Sequence, residues 1–302
     1  MTVGKVATKH GLAPIAASTH PFAQWGVQKH TDKERYNVLA RDFQVLARRL
    51  FMCGLHVHVG IDDDGIRIDL MNQVAYFLAH RLALSTSSPF WRGEDTRLMS
   101  YRLTVFDGLP RAGLPDYFTS FGEYQCFVDQ LAGAGLIDDA TNLRWDVRLS
   151  ARFPTLEMRI TDVCTRLDDS VTIAALYLCI LSMLCRLHTV NQRWRICPRG
   201  LVRENRWLAQ RYGTDGELVD FGKGQRVPYE ELVNEIIALV REDAERFDCV
   251  REIEHARDIV TRGTSAHRQQ GTFSTALEAG KDRATGLKEV VDMLIDETTH
   301  GL

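Results

Sequence analysis

The stretch LRWDVRLSARFPTLEMRIT (143–161) decides the fold, because apolar and polar residues alternate along both of its halves. Successive side chains of a β-strand point to opposite faces, so each half offers one apolar and one polar face. The polar faces carry Arg148, Glu157 and Arg159. An antiparallel sheet can bury one face against helices and leave the other open. The stretch therefore predicts two strands, LRWDVRL and TLEMRIT, with a charged open face.

Two further segments alternate in the same way. They are CGLHVHV (53–59), with His56 and His58 on its polar face, and MSYRLTV (99–105), with Arg102. If all four strands share one sheet, its open face collects two histidines, several arginines, an aspartate and a glutamate. Arginine forks bind phosphate and carboxylate groups, and Mg²⁺ in phosphoryl sites takes only one or two protein carboxylates. Such a face is suited to a metal–nucleotide and a carboxylate substrate.

Each pair on this face also has a simpler explanation. Solvated strand faces carry polar residues, so the Glu157–Arg159 pattern alone favours an ordinary exposed surface. His56 and His58 project the same way and form a plausible ligand pair, which would also suit a metal-dependent hydrolase with an HxH strand. Neither GxxxxGK[ST] nor GxGxxG occurs in the sequence, which leaves a P-loop or Rossmann site unsupported.

Helical spacing of apolar residues dominates the rest of the chain. In the first half it predicts helices over 34–50 and about 70–82. A third helix is predicted to open at Ser120, because Glu123 stands three residues further on, as in a capping box. The first half is therefore expected to mix strands and helices.

The second half, after about residue 170, is predicted to be almost wholly helical. Ser170–Cys185 is apolar but shorter than the roughly 20 residues of a membrane span, so a central buried helix is expected. Pro228 is placed in the first turn of another helix, whose apolar stripe extends to Phe247. The Gly-rich segment 214–228 is predicted to be an exposed loop. The whole chain (1–302) is interpreted as one α+β domain.

The composition narrows the functional classes. The formal net charge is −3, from 37 basic and 40 acidic residues spread along the chain, so no nucleic-acid partner is expected. Seven scattered cysteines without CxxC spacing predict reduced thiols rather than disulfides or a zinc site. The N-terminal residues lack a sustained apolar run. A cytoplasmic protein that binds small molecules, without a membrane partner, is expected.

Five blocks of sequence carry a resemblance to a known family. They are ASTHPFAQW (17–25), CGLHVHVGI (53–61), LSTSSPFWRGEDT (84–96) with SYR (100–102), RWDVRLSARFPTLEMRITDVC (144–164) and ENRWLAQRYG (204–213). In this order they resemble the carboxylate–amine ligases of the glutamate–cysteine ligase type 2 family. The resemblance implies a glutamine-synthetase-like fold, in which a curved antiparallel sheet packs helices on one face and holds ATP and Mg²⁺ on the other. It implies that ATP phosphorylates a glutamate-like carboxylate and that an amine attacks the acyl phosphate to form a γ-glutamyl-type amide.

The same resemblance implies roles for the residues of the open face. Glu157, together with His56, corresponds to the ligands of Mg²⁺. Arg159 corresponds to the catalytic group that neutralises the transferred phosphoryl, next to a catalytic His56. His58 is expected to support the nucleotide site, and Arg148 is expected in the cofactor and substrate pocket.

Two further residues are expected to meet the carboxylate substrate. Arg102 in SYR corresponds to a catalytic clamp for the substrate carboxylate, and His20 is expected in the substrate pocket. Asn205 and Arg206 match a block of the family to which the resemblance assigns no role.

The family's first strand, which carries closely spaced glutamates, has no counterpart in these residues. The domain is therefore expected to be N-terminally incomplete relative to the family, with weaker Mg²⁺ binding and phosphoryl transfer. A non-catalytic or truncated family member that acts as a binding or interaction subunit is the main alternative. A homodimer is the default expectation for the oligomeric state.

Overall fold

The computed structural model describes residues 3–24 and 52–299. Its helices are α1 (Val3–Lys9), α2 (Asp64–Val74), α3 (Leu78–Ser85), α4 (Tyr101–Phe106), α5 (Phe121–Gly133), α6 (Leu167–Thr189), α7 (Arg199–Tyr212), α8 (Tyr229–Leu239), α9 (Arg241–Arg246), α10 (Val250–Arg262), α11 (Ser265–Glu278) and α12 (Arg283–Thr299). Its strands are β1 (Val57–Gly60), β2 (Phe90–Trp91), β3 (Glu94–Asp95), β4 (Ala112–Gly113), β5 (Arg144–Trp145), β6 (Val147–Leu149), β7 (Thr155–Met158), β8 (Glu217–Asp220) and β9 (Gln225–Pro228). The predicted helix over 34–50, and Trp25, lie outside the described residues.

The central sheet has the strand order β1–β7–β6, with both neighbours antiparallel to β7. The strands predicted over 53–59, 143–149 and 155–161 are confirmed, although each is shorter than its pattern. Asp146 interrupts the second, so β5 leaves the sheet and pairs in parallel with β4. The apolar side chains of β6 and β7 face the main core, which α2 and α6 help to form. The face opposite this core is therefore left to the polar residues.

The prediction of a strand over 99–105 is wrong, because Tyr101–Phe106 forms the short helix α4. Tertiary hydrogen bonds fix this helix at its start: Ser88 Oγ accepts from the backbone N–H of Arg102 at 3.1 Å, and Ser100 Oγ donates to Asp162 at 2.9 Å. Seven residues of alternation cannot distinguish a strand from two helical turns when one of the polar side chains, Arg102, is itself buried.

The helices of the first half agree with the remaining predictions. The apolar run at 70–82 forms α2 and α3, joined by a 3₁₀ turn at Ala75–Phe77. Ser120 caps α5, and its Oγ accepts from the N–H of Glu123 at 3.1 Å. The Glu123 carboxylate accepts from the N–H of Thr119, one residue before the cap, so the capping box is displaced by one position.

The long apolar helix of the second half is α6, and its predicted burial is confirmed. By length and composition α6 could cross a membrane, but most of its apolar window (61%) is buried within the protein, as in the core helix of a globular fold. The helix predicted at Pro228 is α8, but Pro228 is its N-cap residue, one position before the first turn in which it was predicted. The stripe does not reach Phe247, which lies after α9 and is 40% exposed. The segment 214–228 is no loop, since most of it forms the β8–β9 hairpin.

A smaller second core joins the two ends of the described chain. Ala17 and Phe90 pack there against apolar residues of α11 and α12, namely Phe273, Leu287, Val290 and Leu294. The backbone N–H of Ala16 donates to Thr298 Oγ1 at 2.9 Å, across 282 residues of sequence. The last helix therefore fixes the segment that precedes the sheet.

A buried arginine on α7 braces the bend between β5 and β6. Arg206 donates through Nε to Asp146 at 2.7 Å and through both terminal nitrogens to Asp107 at 2.7 Å. Burial raises the pKa of Asp146, but the adjacent guanidinium opposes this effect. A buried carboxylate that loses the cation hydrogen-bonded to it carries a large desolvation cost.

We predict that Arg206→Ala lowers the free energy of unfolding by about 3 to 5 kcal/mol, because Asp146 would stay buried without its partner. Denaturant titration followed by circular dichroism measures this change. Arg203→Ala, on the exposed side of the same helix, is the matched control and should change the value by less than about 0.5 kcal/mol. Equal losses of unfolding free energy in Arg206→Ala and Arg203→Ala would contradict the stabilising role of Arg206 at this bend.

Helix α3 is buried on every side, and it includes a histidine. His80 is 1% exposed, and burial, reinforced by the charge of Arg81, lowers its pKa to about 3. Its imidazole is therefore neutral in the folded protein at neutral pH. In the unfolded chain the pKa of the same imidazole is about 6.5.

We predict that acid destabilises the wild-type protein partly through His80. Between these two pKa values the unfolded chain binds a proton that the folded protein does not, so stability falls as the pH drops through this window. From pH 7 to pH 5 the loss attributable to His80 is about 2 kcal/mol. Denaturant titrations at both pH values should therefore show a smaller loss in His80→Asn, and parallel pH profiles would disprove the assignment.

Candidate functional site

The open face of the sheet is centred on the carboxylate of Glu157. The register places Glu157 between His58 on β1 and Arg148 on β6. Arg148 donates through Nε to Glu157 Oε2 at 2.7 Å, and Arg159 donates through Nη1 to Oε1. The imidazoles of His56 and His58 lie 3.4 and 3.5 Å from Oε1. One carboxylate is thus surrounded by two guanidinium groups and two imidazoles, and these five residues were all predicted from the sequence.

The exposure of these side chains is graded from the floor of the site to its rim. The side chain of Glu157 is 3% exposed, whereas those of His56 and His58 are 35% and 40% exposed. Burial alone would raise the pKa of Glu157, but the charges of Arg159 and Arg148 outweigh it and hold the pKa below its usual range. Glu157 is therefore ionised at neutral pH and anchors the cations around it.

His56 is held in its neutral form. Burial, followed by the positive charge of Arg159, lowers its pKa to about 4, against the opposing effect of Glu157. Its Nδ1 lies 3.4 Å from Nη1 of Arg159. A neutral imidazole beside a guanidinium acts as an acceptor, so His56 can help to orient Arg159 without adding charge.

The two arginines differ in how many of their donors the protein uses. Arg148 also donates through Nη1 to the carbonyls of Thr141 and Leu143, at 2.9 and 2.5 Å, which fixes it in place. Within the described residues Arg159 donates only through Nη1, and its Nε has no hydrogen-bond partner. Arg159 is therefore the arginine with more donors that no described residue uses, while Arg148 mainly holds Glu157.

His58 is positioned by its neighbouring strand. Its Nδ1 lies 2.9 Å from Thr155 Oγ1 at the start of β7, which turns Nε2 towards Glu157. Sequence reasoning missed Thr155, although it is the first residue of the TLEMRIT pattern and stands two positions before Glu157. Its hydroxyl acts on the site through the histidine.

The residues that could hold Mg²⁺ offer a single carboxylate. Within residues 3–24 and 52–299 no cluster of three or more His, Cys, Asp or Glu side chains suits a metal ion. Mg²⁺ in phosphoryl sites is often held by one or two carboxylates, with phosphate oxygens and water completing the octahedron. Glu157 as one oxygen ligand fits that donor set. His56 offers nitrogen, which suits Mg²⁺ less well.

Arg102 does not lie on the open face, contrary to its predicted place. Its side chain is 3% exposed, behind the end of β7, and it donates to the carbonyls of Arg159 and Ile160 at 3.0 and 3.1 Å. The predicted clamp for a substrate carboxylate would need an accessible guanidinium, which this burial withholds. The predicted place of Arg102 was wrong because residues 99–105 were expected to form a strand. In the helix that residues 101–106 form instead, Arg102 points inward rather than across a sheet.

His20 forms a separate turn near the chain start. Its Nδ1 accepts from the backbone N–H groups of Phe22 and Ala23 at 3.3 and 3.1 Å, and its ring packs edge-on against Phe22. Among the described residues its hydrogen bonds remain within this turn, and none reaches the Glu157 cluster. Its place in a substrate pocket stays a prediction.

Asp162 is a buried polar residue behind the site, and sequence reasoning missed it. It is 0% exposed and accepts from the N–H of Ser87, at 3.0 Å, and from the hydroxyls of Ser88 and Ser100, at 2.7 and 2.9 Å. It lies three residues after Arg159 in a quoted block, but its partners are 62 to 75 positions away in sequence. No local pattern could have shown that these groups meet.

Comparison with known proteins identifies the family. The model of glutamate–cysteine ligase family 2 matches residues 1–289. A relative from Rhodospirillum rubrum, provisionally named glutamate–cysteine ligase 2, is 60% identical over 97% of this chain and 75% of its own length. A relative from Jannaschia sp. with the same name is 51% identical over 98% of this chain and 78% of its own.

Two solved structures share the fold at low sequence identity. Glutamate–cysteine ligase from Francisella tularensis, in complex with AMP, has a TM-score of 0.60 and 10% identity, over 96% of this chain and 74% of that one. A bifunctional glutathione synthetase from Pasteurella multocida has a TM-score of 0.63 and 13% identity, over 95% of this chain and 43% of that one. The predicted α+β fold is thereby confirmed. From the family match and the relatives together, the chain belongs to glutamate–cysteine ligase family 2.

Proposed function

We propose that the protein is an ATP- and Mg²⁺-dependent ligase that joins a glutamate-like carboxylate to an amine through an acyl phosphate. The observation that carries the proposal is the Glu157 cluster on the open face of the sheet. The two guanidinium groups and the ionised carboxylate together carry a net charge of +1. A polyphosphate is attracted to such a face.

Arg159 is the group best suited to the transferred phosphoryl. It lies next to the floor of the site and retains donors that no described residue uses. Guanidinium forks match the geometry of phosphate oxygens. Arg159 would therefore stabilise the charge that develops as the phosphoryl passes from nucleotide to substrate carboxylate.

Glu157 has two tasks in this mechanism. It holds Arg148 and Arg159 in place, and it is the carboxylate that can ligate Mg²⁺. When bound, the ion would supply positive charge that neutralises the phosphates. No covalent intermediate with the protein is required, so the residues act by positioning and by charge.

His56 and His58 border the floor of the site. The pKa of His56 is lowered to about 4, so His56 is neutral at neutral pH and serves as a hydrogen-bond acceptor at the rim rather than as a base. His58 is oriented by Thr155. The amine itself is unassigned. Cysteine is one candidate, from the names of the relatives, and the AMP complex of the structural neighbour supports an adenine nucleotide.

The two alternatives gain no observation in their favour. A metal-dependent hydrolase needs three protein ligands around its ion, and the described residues offer no such cluster. The family match and the relatives named as ligases favour catalysis over a non-catalytic binding subunit.

We predict that Glu157→Gln and Arg159→Ala each lower kcat on the order of 10²- to 10³-fold, because each removes charge stabilisation of the transition state. The assay is amine-dependent ADP release with ATP, Mg²⁺ and glutamate, against a panel of amines that includes cysteine. Arg152→Ala, in the exposed turn between β6 and β7, is the control and should keep wild-type turnover.

Two results would count against the proposal. Wild-type protein that releases no ADP with any amine would favour the binding role. Amine-dependent turnover that survives both substitutions would place the chemistry elsewhere on the fold. Circular dichroism of each variant separates loss of activity from loss of structure.

A further inference from the structure

The backbone that carries Arg159 is held from two sides. After β7 leaves the sheet pairing, the N–H groups of Arg159 and Ile160 both donate to the carbonyl of Asp146, at 2.8 and 3.1 Å. Their carbonyls accept from one guanidinium, that of Arg102, at 3.0 and 3.1 Å. All four polar groups of these two peptide units are thus bonded to fixed protein groups.

Arg102 is itself fixed at both ends. Its backbone N–H donates to Ser88 Oγ, and its Nη1 lies 3.8 Å from Asp162 Oδ1, a carboxylate that is fully buried. Ser88 Oγ in turn donates to the same carboxylate at 2.7 Å. The buried Asp162 therefore balances the charge of Arg102 and ties it to the segments at Ser88 and Ser100.

The space for this guanidinium depends on a glycine. A Cβ atom at Gly54 would lie 2.3 Å from Nη2 and 2.7 Å from Cζ of Arg102. Gly54 pairs with Asp162 in an isolated bridge just before β1, so its backbone is fixed and cannot easily retreat. Any larger residue at this position would push the guanidinium away from the two carbonyls.

We infer that Arg102 is a positioning residue that sets the place of the Arg159 guanidinium on the open face. This inference rests on the proposed function, in which Arg159 meets the transferred phosphoryl. A side chain that stabilises a transition state must be placed within a fraction of an ångström, and a misplacement of 1 Å can cost about 10²-fold in rate. Arg102 bonds to the carbonyl of Arg159 itself, so its loss moves the base from which that side chain extends.

Arg102→Lys tests the inference, because lysine keeps the charge near Asp162 but cannot bridge two carbonyls with a planar fork. We expect kcat to fall about 10²-fold, with the KM values for ATP and for the carboxylate substrate changed by less than about threefold. Gly54→Ala, which keeps Arg102 but crowds it, should produce the same kcat defect. Arg152→Lys, in the exposed turn, is the matched control.

Two kinetic outcomes would overturn the inference. If KM for the carboxylate substrate rises while kcat is unchanged, Arg102 binds substrate directly. If kcat falls only in proportion to the folded fraction, measured by thermal melting, Arg102 serves stability alone.

A crystal structure of Arg102→Lys decides the matter without activity. The expected result is that the Arg159 guanidinium has left its hydrogen bond with Glu157, and an intact Arg159–Glu157 pair overturns the inference. An inactive wild type would refute the proposed function, yet this structural result would still test the positioning role. Should Arg102→Lys fail to fold, Gly54→Ala provides the same crystallographic test.

Discussion

The buried carboxylate of Glu157 is the constraint on which the rest of the site depends. A carboxylate on the floor of a sheet is stable only with cations beside it. Arg148 on β6 and Arg159, just beyond β7, supply them. Arg148 is in turn bonded to backbone carbonyls, whereas among the described residues the side chain of Arg159 bonds only to this cluster. The contacts that make burial of Glu157 possible thus give the two arginines different roles. Arg148 holds Glu157 in place, and Arg159 remains available to a ligand.

Period-two alternation predicted β1, β6 and β7 because these strands bury one face and expose the other. From that pattern Glu157, Arg159, Arg148, His56 and His58 could be brought to one face, although their detailed roles came from the family resemblance. Around Arg102, period-two alternation does not correspond to a strand. Seven alternating residues predicted a strand, yet Tyr101–Phe106 form the helix α4, in which the charged side chain of Arg102 is buried. The β8–β9 hairpin was missed because its Gly-rich turn was interpreted as a loop.

Two buried arginines form a frame behind the sheet, and both bear on the same stretch of backbone. Arg206 holds the side chain of Asp146, whose carbonyl accepts the N–H groups of Arg159 and Ile160. Arg102 holds the carbonyls of the same two residues. Neither brace could be found by local periodicity, since each connects segments more than 50 positions apart. Within the block ENRWLAQRYG, Arg206 therefore supports the site through the backbone of Asp146.

The contact between Ala16 and Thr298 has a consequence for how the chain acquires its structure during synthesis. Proteins emerge from the ribosome N-terminus first, and pairings between distant segments must wait for the later partner. The segment beside Ala16 also carries Ser18, whose Oγ accepts from the N–H of Val163 at 2.7 Å, just beyond the end of the β7 region. Because α12 follows every other described element along the chain, this flank of the site is completed only after all of them have been synthesised. Until then the nascent protein has to remain soluble with that flank unpaired.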